Sequence, residues 1–274
     1  MGRKCDQVRF QAVSRLAYVT RGFRRATAPL RSLPDVLIVG AMRCGTTALF
    51  NWLAEHPQVT PPTRKEIHFL DFHFERGVNW YLAFFPLRGA RVTMDASPSY
   101  MNHPATADRA ARLMPDARVI AVLREPAERA WSQYRLRREQ GNETRDFRTA
   151  IEFELNSDLP PMRAYDVSAH IPYLTAGLYA AQLTPWIEQF GRESILVLDS
   201  QRLFTQSDST LRAVQRFIAI DEVSTPFRQV NSAPPASPPL DLMQRMVEYF
   251  REPNRELAEL FGPVFSWIEH DSHH

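Results

Sequence analysis

The chain has 274 residues, 44% of them hydrophobic and 23% charged, with 21 prolines. That composition is enough to bury one sizeable core and marks a soluble globular protein. With 33 Lys and Arg against 31 Asp and Glu, the net charge is +2 and gives no reason to expect nucleic-acid binding. The two cysteines, Cys5 and Cys44, make no disulfide framework, and neither His68 nor His73 has the partner spacing of a metal site. No run approaches the roughly 18 apolar residues that a bilayer-spanning helix needs.

Residues 1–33 form a basic extension in which Phe10, Val13, Leu16, Val19 and Phe23 alternate with arginines. They lack the apolar core of a signal peptide, so the expected compartment is cytoplasmic. Two readings compete for them: a helix on a membrane surface or acidic partner, and a helix packed on the domain with its arginines in water. The second is preferred. The run "DVLIV" (35–39) then predicts a central parallel strand covered on both faces. A glycine turn follows, and a helix from Thr46 carries Leu49, Phe50 and Leu53 before stopping at His56-Pro57.

Farther along, Trp80, Tyr81, Phe84 and Phe85 read as core at helical spacing, with stacking on a sugar as the alternative. "RVTMD" (91–95), "RVIAVLR" (118–124) and "SILVLD" (194–199) are further strands. Helices are expected around 104–114, 126–140 and 178–190, the last with Leu183, Trp186, Ile187 and Phe190 on one side. Beyond Leu211 the pattern is helical again, through Val214, Phe217 and Ile218. The Pro/Ser-rich stretch 224–241 is too long for a connector and reads as a flap over a site. Residues 240–261 are helical, interrupted by Pro253. Strand-helix alternation of this kind predicts an α/β fold, a P-loop-like central parallel sheet with helices on both faces. Residues 34–274 are expected to form a single domain.

The chemistry concentrates in "VLIVGAMRCGTTALF" (36–50). A strand feeding a glycine turn and a helix points consecutive N–H groups and the positive helix end at an anion. Gly40 and Gly45 are spaced as in a nucleotide-triphosphate loop, but Thr46 and Thr47 follow where the gripping lysine belongs. Arg43 supplies the loop's charge instead. A second departure lies at the end of "RVIAVLREP", where Arg124 occupies the place of a magnesium-binding carboxylate. Ser132 sits two helical turns beyond it. Both departures point to a nucleotide with separate anionic groups, held without a metal. Lysine is rare here, since Lys4 and Lys65 are the only two.

"VGAMRCGTTAL", "KEIHFLD" and "LREPAERAWSQY" resemble three signatures of the sulfotransferases that use 3′-phosphoadenosine 5′-phosphosulfate (PAPS). The heparan-sulfate-type carbohydrate enzymes and their bacterial relatives are the nearest branch. The likeness extends over about 34–267 and includes "GLYAAQLTPWIEQFG" (177–191). It implies that the 40–47 loop, through Arg43, Cys44, Gly45, Thr46 and Thr47, binds the 5′-phosphosulfate of PAPS. Arg124 and Ser132 then hold the 3′-phosphate, which remains on the product PAP. No metal is implied.

By the same resemblance Glu66 is the base that takes the acceptor's proton, with His68 as fallback; on spacing alone Glu66 is a surface carboxylate paired with Lys65 or Arg64. Arg43 stabilises the leaving phosphate. Lys65 either orients Glu66 or touches substrate, and Asp95 is assigned to substrate. Ala96 stands where relatives often carry lysine, and the 224–241 loop offers only Arg228 as a cation. The implied acceptor is a carbohydrate or small-molecule hydroxyl. The rivals are a P-loop phosphotransferase, and a non-catalytic nucleotide- or glycan-binding protein on the same scaffold.

Overall fold

The structure is a computed structural model that describes residues 21–89, 91–156, 172–224, 238–262 and 265–269. In chain order it runs α1 (Arg21–Ala26), β1 (Val36–Gly40), α2 (Thr46–Ala54), α3 (Val78–Leu82), β2 (Met94–Ala96), α4 (Thr106–Leu113), β3 (Arg118–Leu123) and α5 (Pro126–Glu139). Then come α6 (Phe147–Leu155), α7 (Tyr179–Phe190), β4 (Ile195–Asp199), α8 (Ser200–Thr205), α9 (Ser207–Phe217) and α10 (Leu240–Phe261).

The four strands form one parallel sheet in the order β2-β1-β3-β4. Leu37 pairs with Asp95 on one side and Val119 on the other, and Leu123 pairs with Asp199. Every residue of β1 is buried, as is all of β3 past Arg118. Burial on both faces explains the unbroken apolar runs. From β1 the chain crosses to β2 on one side, and from β3 to β4 on the other. The crossover direction thus reverses between β1 and β3, and a crevice opens at the carboxyl ends of these two strands. The 40–47 loop and Arg124 leave from those ends.

A second apolar cluster joins α5, α6 and α10 through Ala127, Ala130, Tyr134, Phe147, Ile151, Leu242, Met246 and Phe250. Trp80, Tyr81 and Phe85 are core residues, at most 4% exposed.

Three expectations are corrected. Strand β2 begins at Met94 rather than Arg91, because Arg91 is exposed and Val92 forms only an isolated bridge to Val59. Helix α10 continues through Pro253. Leu242, Met246 and Phe250 on one side of the proline, and Leu257 and Phe261 on the other, are all buried. Each apolar side chain contributes roughly 1.5–3 kcal/mol, so the face offsets the backbone bond a proline forfeits. The described arginines of the basic extension are not all in water. Arg24 donates to the carbonyls of Ala83 and Phe85 at 2.6 and 2.7 Å, and Arg31 to that of Phe85 at 2.7 Å. Residues 1–20 and 225–237, with Arg228 and most of the expected flap, lie outside the described residues.

Candidate active site

Between β1 and α2 the backbone turns sharply at two points where a side chain is not tolerated. A Cβ on Gly40 would meet Met101 at 2.8 Å, and Gly45, at φ +102°, caps α2 in the left-handed region. The first N–H groups of α2, from Thr46 onward, have no intrahelical acceptor and gather the positive end of the helix dipole. Thr47 is exposed beside them, whereas Thr46 is 4% exposed. Arg43 is exposed and also left-handed, at φ 69°.

Cys44 requires a correction. Its thiol is fully buried, with Sγ 3.5 Å from the Met42 carbonyl oxygen and 3.9 Å from the Tyr179 hydroxyl, and its N–H donates to Ala41 O. Burial pushes the thiol up to about 11. The thiol is neutral and faces inward, so the side chain shapes the loop.

The second sequence-predicted element starts where β3 ends. The Arg124 side chain is 35% exposed and donates through Nε and Nη2 to Glu128 Oε2 at 3.0 and 2.8 Å. Glu125 caps α5 by accepting from the N–H groups of Ala127 and Glu128. Burial raises its carboxyl against the pull of those two bonds. Ser132, two turns into α5, accepts a hydrogen bond from Arg43 Nε at 3.1 Å. This contact brings the two sequence-predicted halves together across 89 residues of chain.

Beside them, residues 65–71 form a turn hung from the carboxyl end of β2. Glu66 N–H donates to Ala96 O, and His68 N–H to Ser97 Oγ at 3.2 Å. Both Glu66 and His68 adopt left-handed backbones, at φ 56° and 54°. Lys65 Nζ lies 2.5 Å from Glu66 Oε1, and His68 Nε2 stands 3.9 Å from Glu66 Oε2. Behind His68, Nδ1 meets Asp71 Oδ2 at 3.1 Å and Ser99 Oγ at 3.0 Å. Burial pushes the Asp71 carboxyl up, but the bonds from His68 and Ser99 outweigh it and leave Asp71 below the ordinary range. Asp71 and Ser99 were not singled out from sequence; the His-x-x-Asp spacing in "HFLD" is the signal that marks Asp71.

Asp95, assigned to substrate from the sequence, faces the interior instead. Asp95 is fully buried, accepting from Tyr81 OH at 2.9 Å, Tyr100 OH at 2.7 Å and Ser97 Oγ at 3.2 Å. Burial raises its carboxyl, against the pull of those three hydroxyls. Tyr100 Oη in turn accepts from the N–H of Phe69 and Leu70, so Asp95 anchors the 65–71 turn from inside. Among the described residues no group of three or more His, Cys, Asp or Glu is placed to hold a metal ion. Nor is any described helix long and apolar enough to cross a membrane.

Comparison with known proteins places this geometry. Residues 33–231 match the family described as Sulfotransferase domain. Human bifunctional heparan sulfate N-deacetylase/N-sulfotransferase 2 is 28% identical over 283 residues, covering 88% of this chain and 31% of the relative. The human paralogue 3 is 31% identical over 205 residues, covering 69% of this chain and 22% of its own length. The chain thus spans less than a third of these curated relatives. The crystal structure of a sulfotransferase from Alicyclobacillus acidocaldarius superposes with TM-score 0.69 at 27% identity, covering 87% of this chain and 99% of that one. The sulfotransferase domain of the Synechococcus PCC 7002 olefin synthase shares the fold at TM-score 0.50 and 18% identity, covering 80% and 95%. The match over residues 33–231, together with a P-loop-like parallel sheet, establishes that this chain belongs to the sulfotransferase family of enzymes.

Proposed function

We propose that this domain moves the sulfuryl group of PAPS to an acceptor hydroxyl, on a carbohydrate or a small molecule, by in-line transfer with Glu66 as base. The observation that carries this reading is the Arg43–Ser132 hydrogen bond at 3.1 Å, which makes one pocket of the loop after β1 and the helix after β3. The pocket's groups are guanidinium, hydroxyl and helix N–H, a donor set suited to a nucleotide with two separated anionic ends.

In this reading the Gly45–Thr47 backbone, the Thr47 hydroxyl and Arg43 hold the 5′ end, and Arg124 and Ser132 hold the 3′-phosphate. The bound donor supplies the sulfuryl group and a phosphate leaving group. Arg43 places fixed positive charge near the leaving oxygen, and as an arginine it does so without giving up a proton. Glu66 removes the acceptor's proton, with Lys65 holding one carboxylate oxygen. His68, braced by Asp71 and Ser99, stands beside the other oxygen as the second proton holder.

A second reading, an amine acceptor, is favoured by the names of the curated relatives, which include N-sulfotransferase. Mass spectrometry with labelled PAPS against glycans bearing free amines, glycans without them, and small hydroxylated metabolites separates the two. Calorimetry tests the donor. PAP is expected to bind more tightly than ATP–Mg²⁺, and the opposite order favours a phosphotransferase. Arg124→Ala is expected to weaken PAP far more than adenosine 5′-monophosphate; equal losses remove Arg124 from the 3′-phosphate. Tight PAP binding without transfer to any acceptor favours a binding protein.

A further inference from the structure

Helix α5 presents Glu128, Ser132, Arg135 and Glu139 at spacings of four, three and four residues, which stacks them on one face. Arg124 lies one turn before the first of them, and Arg43 reaches the same face from the loop after β1. Arg43 therefore meets α5 at Ser132, with Arg135 one turn farther along the same face.

Their charges are unevenly matched. Arg124 is hydrogen-bonded to Glu128, but Arg43 is bonded to a neutral hydroxyl, and Arg135 stands 3.7 Å from Glu139, beyond an ordinary hydrogen bond. Although Arg43 as a residue is exposed, its guanidinium end rests against α5. Burial there pulls it below its usual value; Glu139 opposes the shift, and Arg124 and Arg135 add to it. Ser132 Oγ accepts from Arg43, which leaves its own proton free to point outward. A cluster of donors with surplus positive charge is relieved by an anion, and a phosphate monoester dianion matches guanidinium forks best.

We propose that Arg135 completes the 3′-phosphate pocket with Arg124 and Ser132, and so determines the choice of a 3′-phosphorylated donor over a plain adenine nucleotide. This rests on the donor reading above. The experiment is calorimetry of wild type, Arg135→Gln and Arg135→Lys with PAP and with adenosine 5′-monophosphate. Arg135→Gln is expected to weaken PAP roughly tenfold or more, the worth of one charge-assisted hydrogen bond. It leaves the monophosphate unaffected, and Arg135→Lys keeps part of the difference. Melting temperatures of all three proteins are expected to coincide. Equal losses for both nucleotides, or undiminished PAP binding by a folded Arg135→Gln, overturn the assignment. A wild-type protein with no preference for PAP over the monophosphate overturns the donor reading itself, and this inference with it.

Discussion

The Tyr179 hydroxyl donates to the carbonyl oxygen of Arg124 at 2.8 Å and lies 3.9 Å from the Cys44 thiol. A fully buried phenol at the start of α7 thus touches both the 40–47 loop and the end of β3. Tyr179→Phe keeps the ring and removes the donor. The expected cost is about 1–2 kcal/mol in denaturant unfolding, with a severalfold loss of PAP affinity as the Arg124 carbonyl loosens. Unchanged affinity alongside the stability loss makes Tyr179 a packing residue only.

Glu66→Gln retains shape and removes the basic carboxylate. Turnover is expected to fall by about 10²–10⁴, while calorimetry finds PAP affinity intact. Equal transfer rates in mutant and wild type take Glu66 out of the base role.

Asp95→Ala leaves the Tyr81 and Tyr100 hydroxyls without their acceptor inside the core. At about 1–3 kcal/mol for each stranded group, the loss is about 2–6 kcal/mol. Asp95→Asn retains an acceptor oxygen and is expected to be milder, with kcat reduced and the acceptor's KM unmoved. A raised acceptor KM in a fully stable Asp95→Asn enzyme restores the substrate contact that the burial argues against.

Acid stability offers a test away from the site. Bonds from Arg145 hold the Glu143 carboxyl down to about 2, against the opposing effect of burial, with Tyr173 adding to the pull. The folded value lies below the ordinary 4.5, so the stabilisation is complete above about 4.5 and is lost as pH falls towards about 2. Melting temperature against pH should therefore drop more steeply across that window in wild type than in Glu143→Gln. Parallel curves refute the pairing.

Much of this was legible because it depends on local pattern. The strands at β1, β3 and β4 announce themselves as apolar runs, and Gly45 marks the turn into α2. What pattern missed is set by distant contacts. Asp95 looks available in "MDASPSY" until Tyr81, fourteen residues upstream, closes over the carboxylate with Tyr100. Cys44 looks like a loop ligand until Tyr179 covers it. Helix α6 escaped notice although Asp146 caps it by accepting from Thr149 N–H at 2.8 Å, since its apolar face is short and is completed by α5 and α10. Arg135 carried no signal at all; only the approach of Arg43 to its helix face gives it meaning.

The sheet order has a practical consequence for retooling this scaffold. The 40–47 loop and Arg124, to which the proposed reading gives the nucleotide, spring from the inner strands β1 and β3, whereas the Glu66 turn hangs from β2 at the sheet's margin. If the proposed roles hold, swapping the marginal turn between homologues is expected to exchange one acceptor repertoire for another while nucleotide affinity, set on the inner strands, stays as it is.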